Sequence, residues 1–216
     1  MTEDITQRLT ACYTGVVHDV MRGMGLRNFT LPHEITPLLP EKTLCGPVFT
    51  IEGKVDETAD AHETLLAWTG LLSKAKSGHI WVCQPHDQNI AQMGELSAET
   101  LQAKGVLGCL IDGGIRDTNF LIKMGFQCWS RFHTPRDVVA HWLPRGFDVD
   151  IVIGDVLICP GDYLHGDRDG IVRIPRANIA DVTEKAEAAI AAENKVRTGI
   201  LAGMDPQAAY LKYGKF

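Results

Sequence analysis

Residues Gly105–Asp117 read GVLGCLIDGGIRD. A glycine opens the stretch just past a helical pattern. Val106, Leu107, Cys109, Leu110 and Ile111 then form a short apolar run of the kind a buried strand carries. Asp112-Gly113-Gly114 is expected to break that strand with a turn that tolerates positive φ. Immediately beyond stand Arg116 and Asp117, a planar cation beside a hard oxygen ligand. A strand that delivers charged side chains through glycines is one way to build a site on a rigid scaffold.

The segment feeding this strand, Ala91 to Ala103, reads AQMGELSAETLQA. Gly94 precedes a run of good helix formers that includes Glu95, Leu96 and Ser97. The first turn of a helix leaves backbone N–H groups without intrahelical acceptors, and these favour an anion. Helix followed by strand is half of a β-α-β crossover, but spacing alone does not bring Glu95 to Arg116.

Working outward, Ile5 to Met24 carries Ile5, Leu9, Cys12, Val16, Val20 and Met24 at helical spacing and predicts one helix ended by Gly23 and Gly25. Gly46 to Ile51 predicts a strand with proline near its start, Asp56 to Asp60 an acidic loop, Leu65 to Ser73 a helix and His79 to Cys83 a strand. Past Asp117, Phe120 to Met124 predicts a short helix and Gly125 to Ser130 a strand. His133 to Phe147 is expected to be mostly loop. With the neighbouring Arg131 it gathers His133, Arg136, His141 and Arg145, which read first as solvated charge. Asp148 to Pro175 alternates as β structure between turns, and its Asp167-Arg168-Asp169-Gly170 lacks the remaining ligands of a calcium loop. Ala177 to Gly203 predicts a long helix, followed by an aromatic tail, YLKYGKF.

At 216 residues and 45% hydrophobic, the chain predicts one domain over residues 1–216, a core over 1–175 with a helical extension over 176–216. A net charge of −6 without a basic cluster argues against a nucleic-acid partner. Six dispersed cysteines without a CxxC pair read as reduced thiols, and the polar start and short apolar runs predict a soluble cytoplasmic protein without a membrane partner. There is no HExxH, GxSxG, Walker loop or GxGxxG before a helix. A Schiff-base enzyme needs a desolvated lysine, for which Lys54 at a strand end is the one remote candidate. What remains is carboxylates with arginine, a set suited to Mg²⁺ or Mn²⁺ and an oxyanionic substrate.

At this point the chain resembles the RraA-like superfamily. The resemblance runs through TGVVHDVMRGMG (14–25), Gly46-Pro47, Met93-Gly94-Glu95-Leu96, the stretch 105–117 and GDYLHGDRDGIVRIP (161–175). It is strongest to the enzymatic branch, the divalent-metal-dependent aldolases of 4-hydroxy-4-methyl-2-oxoglutarate and 4-carboxy-4-hydroxy-2-oxoadipate. The family pattern is an acidic residue, twenty intervening residues, then Arg-Asp. Here it is Glu95 before Arg116-Asp117, with glutamate where aspartate is expected. The resemblance implies an α/β fold, a swivelling α/β/β-type sandwich with an added C-terminal helix. It further implies a homotrimer or homohexamer with sites between subunits. Asp117 would be the metal ligand. Arg116 would grip the oxygens of a small 2-oxo acid, and the amides of Gly94, Glu95, Leu96 and Ser97 its carboxylate. Glu95 and, from a neighbouring subunit, Glu193 would be catalytic. The reaction implied is release of pyruvate, with oxaloacetate decarboxylation as a second activity. The superfamily also holds non-enzymatic regulators that bind an endoribonuclease. These are shorter, whereas this chain continues through Glu193, Arg197 and the aromatic tail. An older quinone methyltransferase label finds no nucleotide-type glycine loop here.

Overall fold

The computed structural model describes residues 2–214, with side-chain surroundings from residue 5 onward. In chain order the strands are β1 (Thr36–Pro37), β2 (Leu44–Val55), β3 (Ile80–Gln84), β4 (Ala91–Met93), β5 (Gly108–Ile115), β6 (Cys128–His133), β7 (Trp142–Phe147), β8 (Ile151–Ile153), β9 (Val156–Ile158), β10 (Tyr163–Asp167) and β11 (Gly170–Ile174). The helices are α1 (Thr2–Thr10), α2 (Thr14–Gly23), α3 (Ala61–Ser73), α4 (Glu95–Ala103), α5 (Thr118–Met124), α6 (Ile179–Leu201) and α7 (Pro206–Tyr213).

The apolar runs of the sequence become the parallel centre of the sheet, β2, β3, β5 and β6, joined by crossovers through α3, α4 and α5. Both faces of β5 are covered, which is why its run carries no alternation. Cys109 and Ile111 pack with Trp68, Leu101 and Leu121 of the helices, while Leu110 packs with Ile151, Ile153, Val156 and Ile158 of the β8–β9 hairpin. On the far side of β2, β10 and β11 add an antiparallel edge. Residues Phe29 to Leu31 then bond along β11 (Leu31 N–H to Ile171 O, 3.0 Å; Arg173 N–H to Phe29 O, 2.7 Å), and β1 continues onto β6. One segment thus links the two edges, and the mixed α/β sheet is nearly closed. A third core lies outside β10–β11, where Leu9, Val17 and Met21 of α1 and α2 meet Val182 and Ala186 of the C-terminal helix α6.

The structure corrects three of these expectations. The predicted N-terminal helix is two, broken across residues 11–13. Asp167, from the β10–β11 turn, accepts the Thr14 N–H (2.8 Å) and hydroxyl (2.7 Å) and so starts α2 afresh. Helical spacing survives the break because both helices face the same sheet edge. Second, Asp112-Gly113-Gly114 does not break the strand: β5 runs to Ile115. Its glycines serve close approach, since a Cβ on Gly114 would stand 2.6 Å from the Phe132 ring and 2.7 Å from Ile90 O. Positive φ comes instead at Asp117 (φ 55°).

The third correction is β7, within the segment expected to be mostly loop. It pairs with β2, where a Cβ on Gly53 would fall 1.9 Å from Trp142 Cζ2. Beyond α6 the chain forms α7 and turns back on α6, its Tyr213 ring 3.5 Å from the Cβ position of Gly199. The last two residues of the aromatic tail lie outside the described residues. Among the described residues no helix is long and apolar enough to cross a membrane.

Candidate functional site

β4 and β5 run side by side and parallel, Met93 opposite Ile115, so both chains leave the sheet at the same place. The Arg116 N–H donates to Met93 O (2.8 Å), which sets Arg116-Asp117 directly against Gly94-Glu95. Gly94 is extended (φ −147°), a conformation open to any residue, yet a Cβ there would stand 2.6 Å from Asp117 Oδ2 and 3.1 Å from Arg116 Nε. Asp117 occupies the left-handed region, a strained choice for a non-glycine residue. It precedes α5 without capping it. Its Oδ2 instead accepts the Glu95 N–H of α4 (3.0 Å), a carboxylate at the positive end of a neighbouring helix.

Arg116 lies between two carboxylates: Nη1 donates to Asp137 Oδ2 (3.0 Å), and Nε is 3.5 Å from Asp117 Oδ2. The pair borders a cleft of about 440 Å³. Leu65, Trp68, Leu72 and Val138 form its apolar wall, opposite the first turn of α4. Trp68 is held there by its indole N–H, which donates to Ser97 Oγ (3.0 Å). Gln92 also lines the cleft; it is 1% exposed, and neither its amide nitrogen nor its amide oxygen has a partner. Of the four amides expected to hold a carboxylate, that of Glu95 is occupied by Asp117. Those of Leu96 and Ser97 have no intrahelical acceptor, because the helix begins with Ala98 N–H bonding to Gly94 O (2.9 Å). Glu95 itself lines the cleft, half-buried.

A divalent cation fits this arrangement in one way. Among the described residues no group of three or more His, Cys, Asp or Glu side chains gathers closely enough to cage an ion. Mg²⁺, however, keeps several waters and is commonly bound through one or two carboxylates. Asp117 is 38% exposed at its side chain, and its contacts to Glu95 and Arg116 both fall on Oδ2.

Glu193 is not in this cleft. It lines a second one of about 560 Å³ with Tyr13, His18, Asp19 and Arg197. The Tyr13 hydroxyl donates to Glu193. Burial, reinforced by that bond and the carboxylate's charge, pushes the phenol up to about 12. Lys54 is exposed on β2, opposite Leu143, and so is not the desolvated lysine a Schiff base requires. In the basic segment, Arg131 pairs with Asp112, which also accepts from Gln84 Nε2 (2.6 Å), and Arg145 pairs with Asp56 (2.8 Å). Sequence reasoning missed Asp137, Trp68 and Gln92. Asp137 sits in a segment without periodicity, and Trp68 reads as ordinary helix core. Gln92, a polar residue between Ala91 and Met93 in a buried strand, was the one available signal.

The RraA-like family model, described as Aldolase/RraA, matches residues 14–173. A protein of Halalkalibacterium halodurans named "Putative 4-hydroxy-4-methyl-2-oxoglutarate aldolase" is 28% identical over 167 residues, covering 76% of this chain and 73% of that one. An uncharacterized protein from Pseudomonas syringae pv. tomato superposes with a TM-score of 0.87 at 22% identity, over 99% of this chain and 95% of that one. Streptomyces coelicolor RraAS2, titled an unusual member of the RNase ES inhibitor RraA protein family, gives 0.79 at 23% identity, covering 90% and 96%. At those identities the two structures speak for the fold alone.

Proposed function

This chain belongs to the RraA-like family, and we propose that it is a divalent-metal-dependent aldolase cleaving 4-hydroxy-2-oxo acids to pyruvate. Decarboxylation of oxaloacetate, which passes through the same enolate, is a second activity. The reading rests on one observation above all: Arg116 and Asp117 are packed against the side-chain-free Gly94 at the start of α4, beside a cleft of substrate size. The aldolase name carried by the 28%-identical relative supports it.

In the reaction the C4 hydroxyl loses its proton, the C3–C4 bond breaks, C4 becomes a carbonyl and the electron pair passes into the pyruvate enolate, which is then protonated at C3. Asp117 would hold the cation, Mg²⁺ or Mn²⁺, which would supply Lewis acidity for the developing enolate. Arg116 binds the 2-oxo and carboxylate oxygens through its planar fork and stabilises the charge that develops on them, a fixed cation oriented by Asp137 before substrate arrives. The amides of Leu96 and Ser97 receive the substrate carboxylate at the helix start. Glu95 is a proton acceptor within the same cleft. Glu193 acts from a neighbouring subunit of a homotrimer or homohexamer, and the protein works in the cytoplasm.

The test is pyruvate release from a panel of 4-hydroxy-2-oxo acids and oxaloacetate, with and without Mg²⁺ or Mn²⁺. Turnover that depends on the metal is expected. A protein inert toward the whole panel that instead inhibits an endoribonuclease in a titration overturns the reading in favour of a regulator.

A further inference from the structure

Within the aldolase reading, we infer that the cleft selects substrates carrying a single carboxylate, with an uncharged substituent on C4. The inference starts from charge. Among the described residues lining the cleft, Arg116 is the one cationic side chain, against the carboxylates of Glu95, Asp117 and Asp137; the divalent cation that Asp117 would hold serves the same 2-oxo acid head as Arg116. Arg116 is committed to the 2-oxo acid head of the substrate. A second carboxylate on the C4 side would meet Glu95, where like charges repel across a short distance, or the apolar wall of Leu65, Trp68 and Leu72, where an unpaired charge is costly to desolvate. Of the arginines in the basic segment, Arg131 is paired with Asp112 and Arg145 with Asp56, and Arg136 is not among the residues that line the cleft.

The wall accepts an alkyl substituent by burial. Gln92 adds a second observation. The residue is 1% exposed, and its amide, unpartnered at both ends and neutral, can donate to or accept from a hydroxyl or carboxamide but cannot neutralise a carboxylate. Gly113 leaves room for it, since a Cβ there would lie 2.8 Å from Gln92 Oε1. Sites that hydrogen-bond a substrate hydroxyl discriminate strongly against analogues lacking it. The selection separates this chain from an enzyme of a dicarboxylic substrate such as the one named for the Halalkalibacterium relative. It also makes oxaloacetate the weaker substrate here.

Two measurements decide it. With Mn²⁺ present, kcat/KM for pyruvate release is compared between 4-hydroxy-2-oxo acids ending in an alkyl, a hydroxyalkyl or a carboxylate group. A preference of about tenfold or more for the uncharged ends is expected. Gln92→Met, close in volume and apolar, is expected to narrow the hydroxyalkyl-over-alkyl preference by about tenfold without lowering the melting temperature. Calorimetric binding of 2-oxopentanoate against 2-oxoglutarate, matched in carbon number and not cleaved, reads the charge selection without turnover. If nothing on the panel is cleaved but 2-oxopentanoate binds about tenfold tighter, the aldolase reading fails and the selection stands. Equal or tighter binding of 2-oxoglutarate, or better turnover of the carboxylate-ended acid, overturns the selection while leaving the aldolase reading intact. Binding of neither acid overturns the selection too.

Discussion

A Cβ on Gly94 would stand 2.6 Å from Asp117 Oδ2, so the carboxylate reaches the start of α4 only because position 94 has no side chain. Gly94→Ala therefore tests the site through sterics alone, since its extended backbone suits alanine. The added methyl must push Asp117 and Arg116 aside, and displacements of that order at a reacting centre cost about 10²-fold in rate. The expected result is a loss of about that size in kcat/KM with the melting transition nearly unchanged. A variant of full activity would mean that neither side chain needs its observed position.

Arg116→Lys keeps the charge but loses the fork that grips two oxygens at once. Loss of about 2–4 kcal/mol of transition-state stabilisation is expected, the range for one oxyanion donor. Asp137→Asn leaves Arg116 in place and loosens its hold at Nη1. It should cost less than Arg116→Lys and fall mainly on kcat, if Asp137 positions the guanidinium. Near-normal kcat/KM in Arg116→Lys would make the arginine structural.

Metal dependence follows from the same geometry. With one half-exposed carboxylate as anchor, the cation should exchange freely. Excess chelator should abolish pyruvate release and Mg²⁺ or Mn²⁺ restore it within mixing time, with no substrate trapped by borohydride, since Lys54 is exposed. Asp117→Ala should remove the metal response. Undiminished turnover in chelator would remove the Lewis acid from the reaction.

The juxtaposition at Gly94 shows where sequence reading stops. The apolar run of β5, the glycine before α4 and the Arg-Asp pair were all legible, because burial and helix starts leave periodic or compositional traces. That β4 lies beside β5 was not, since three residues of strand carry no period. The two glycines of Asp112-Gly113-Gly114 read as a turn because local propensity knows nothing of Gln92 and Pro85 beside Gly113 or of Phe132 pressing on Gly114 from the next strand. Likewise the Ile5 to Met24 pattern stayed helical through a break set by Asp167, far along the chain. Contacts made across the sheet decided each of these points.

His165 gives a stability prediction apart from the site. It is fully buried, its Nε2 against Cys12 O (2.9 Å), and its Nδ1 is without a partner. Burial lowers its pKa below 6.5, outweighing the Cys12 carbonyl and the charge of Asp167, which act the other way. The unfolded chain therefore binds a proton that the folded one refuses. Stability from this group is level above about pH 6.5 and falls as pH drops toward the lowered folded value, by at most about 1.4 kcal/mol per pH unit. Urea midpoints between pH 8 and pH 5 should show this fall, and His165→Gln should flatten it. An unchanged slope in the variant would assign the fall to other groups.

Glu193 and Asp117 line different clefts of one chain, so if both serve one reaction the site is shared between subunits. Glu193 sits on the long C-terminal helix α6, held by the Tyr13 hydroxyl beside Arg197, and Leu201 near the end of that helix is 81% exposed. An apolar residue so exposed, with Tyr210 and Leu211 of α7, gives a neighbouring subunit something to cover. A proton acceptor delivered across such a boundary typically contributes ~10²–10⁴ in rate. Asp117→Ala and Glu193→Ala should each be nearly inactive. Mixing them under conditions of subunit exchange should create some sites with both natural residues and recover part of the activity. A mixture that stays as inactive as its components, with exchange demonstrated by tagged subunits, would place Glu193 outside the reaction and leave it as the partner of Tyr13.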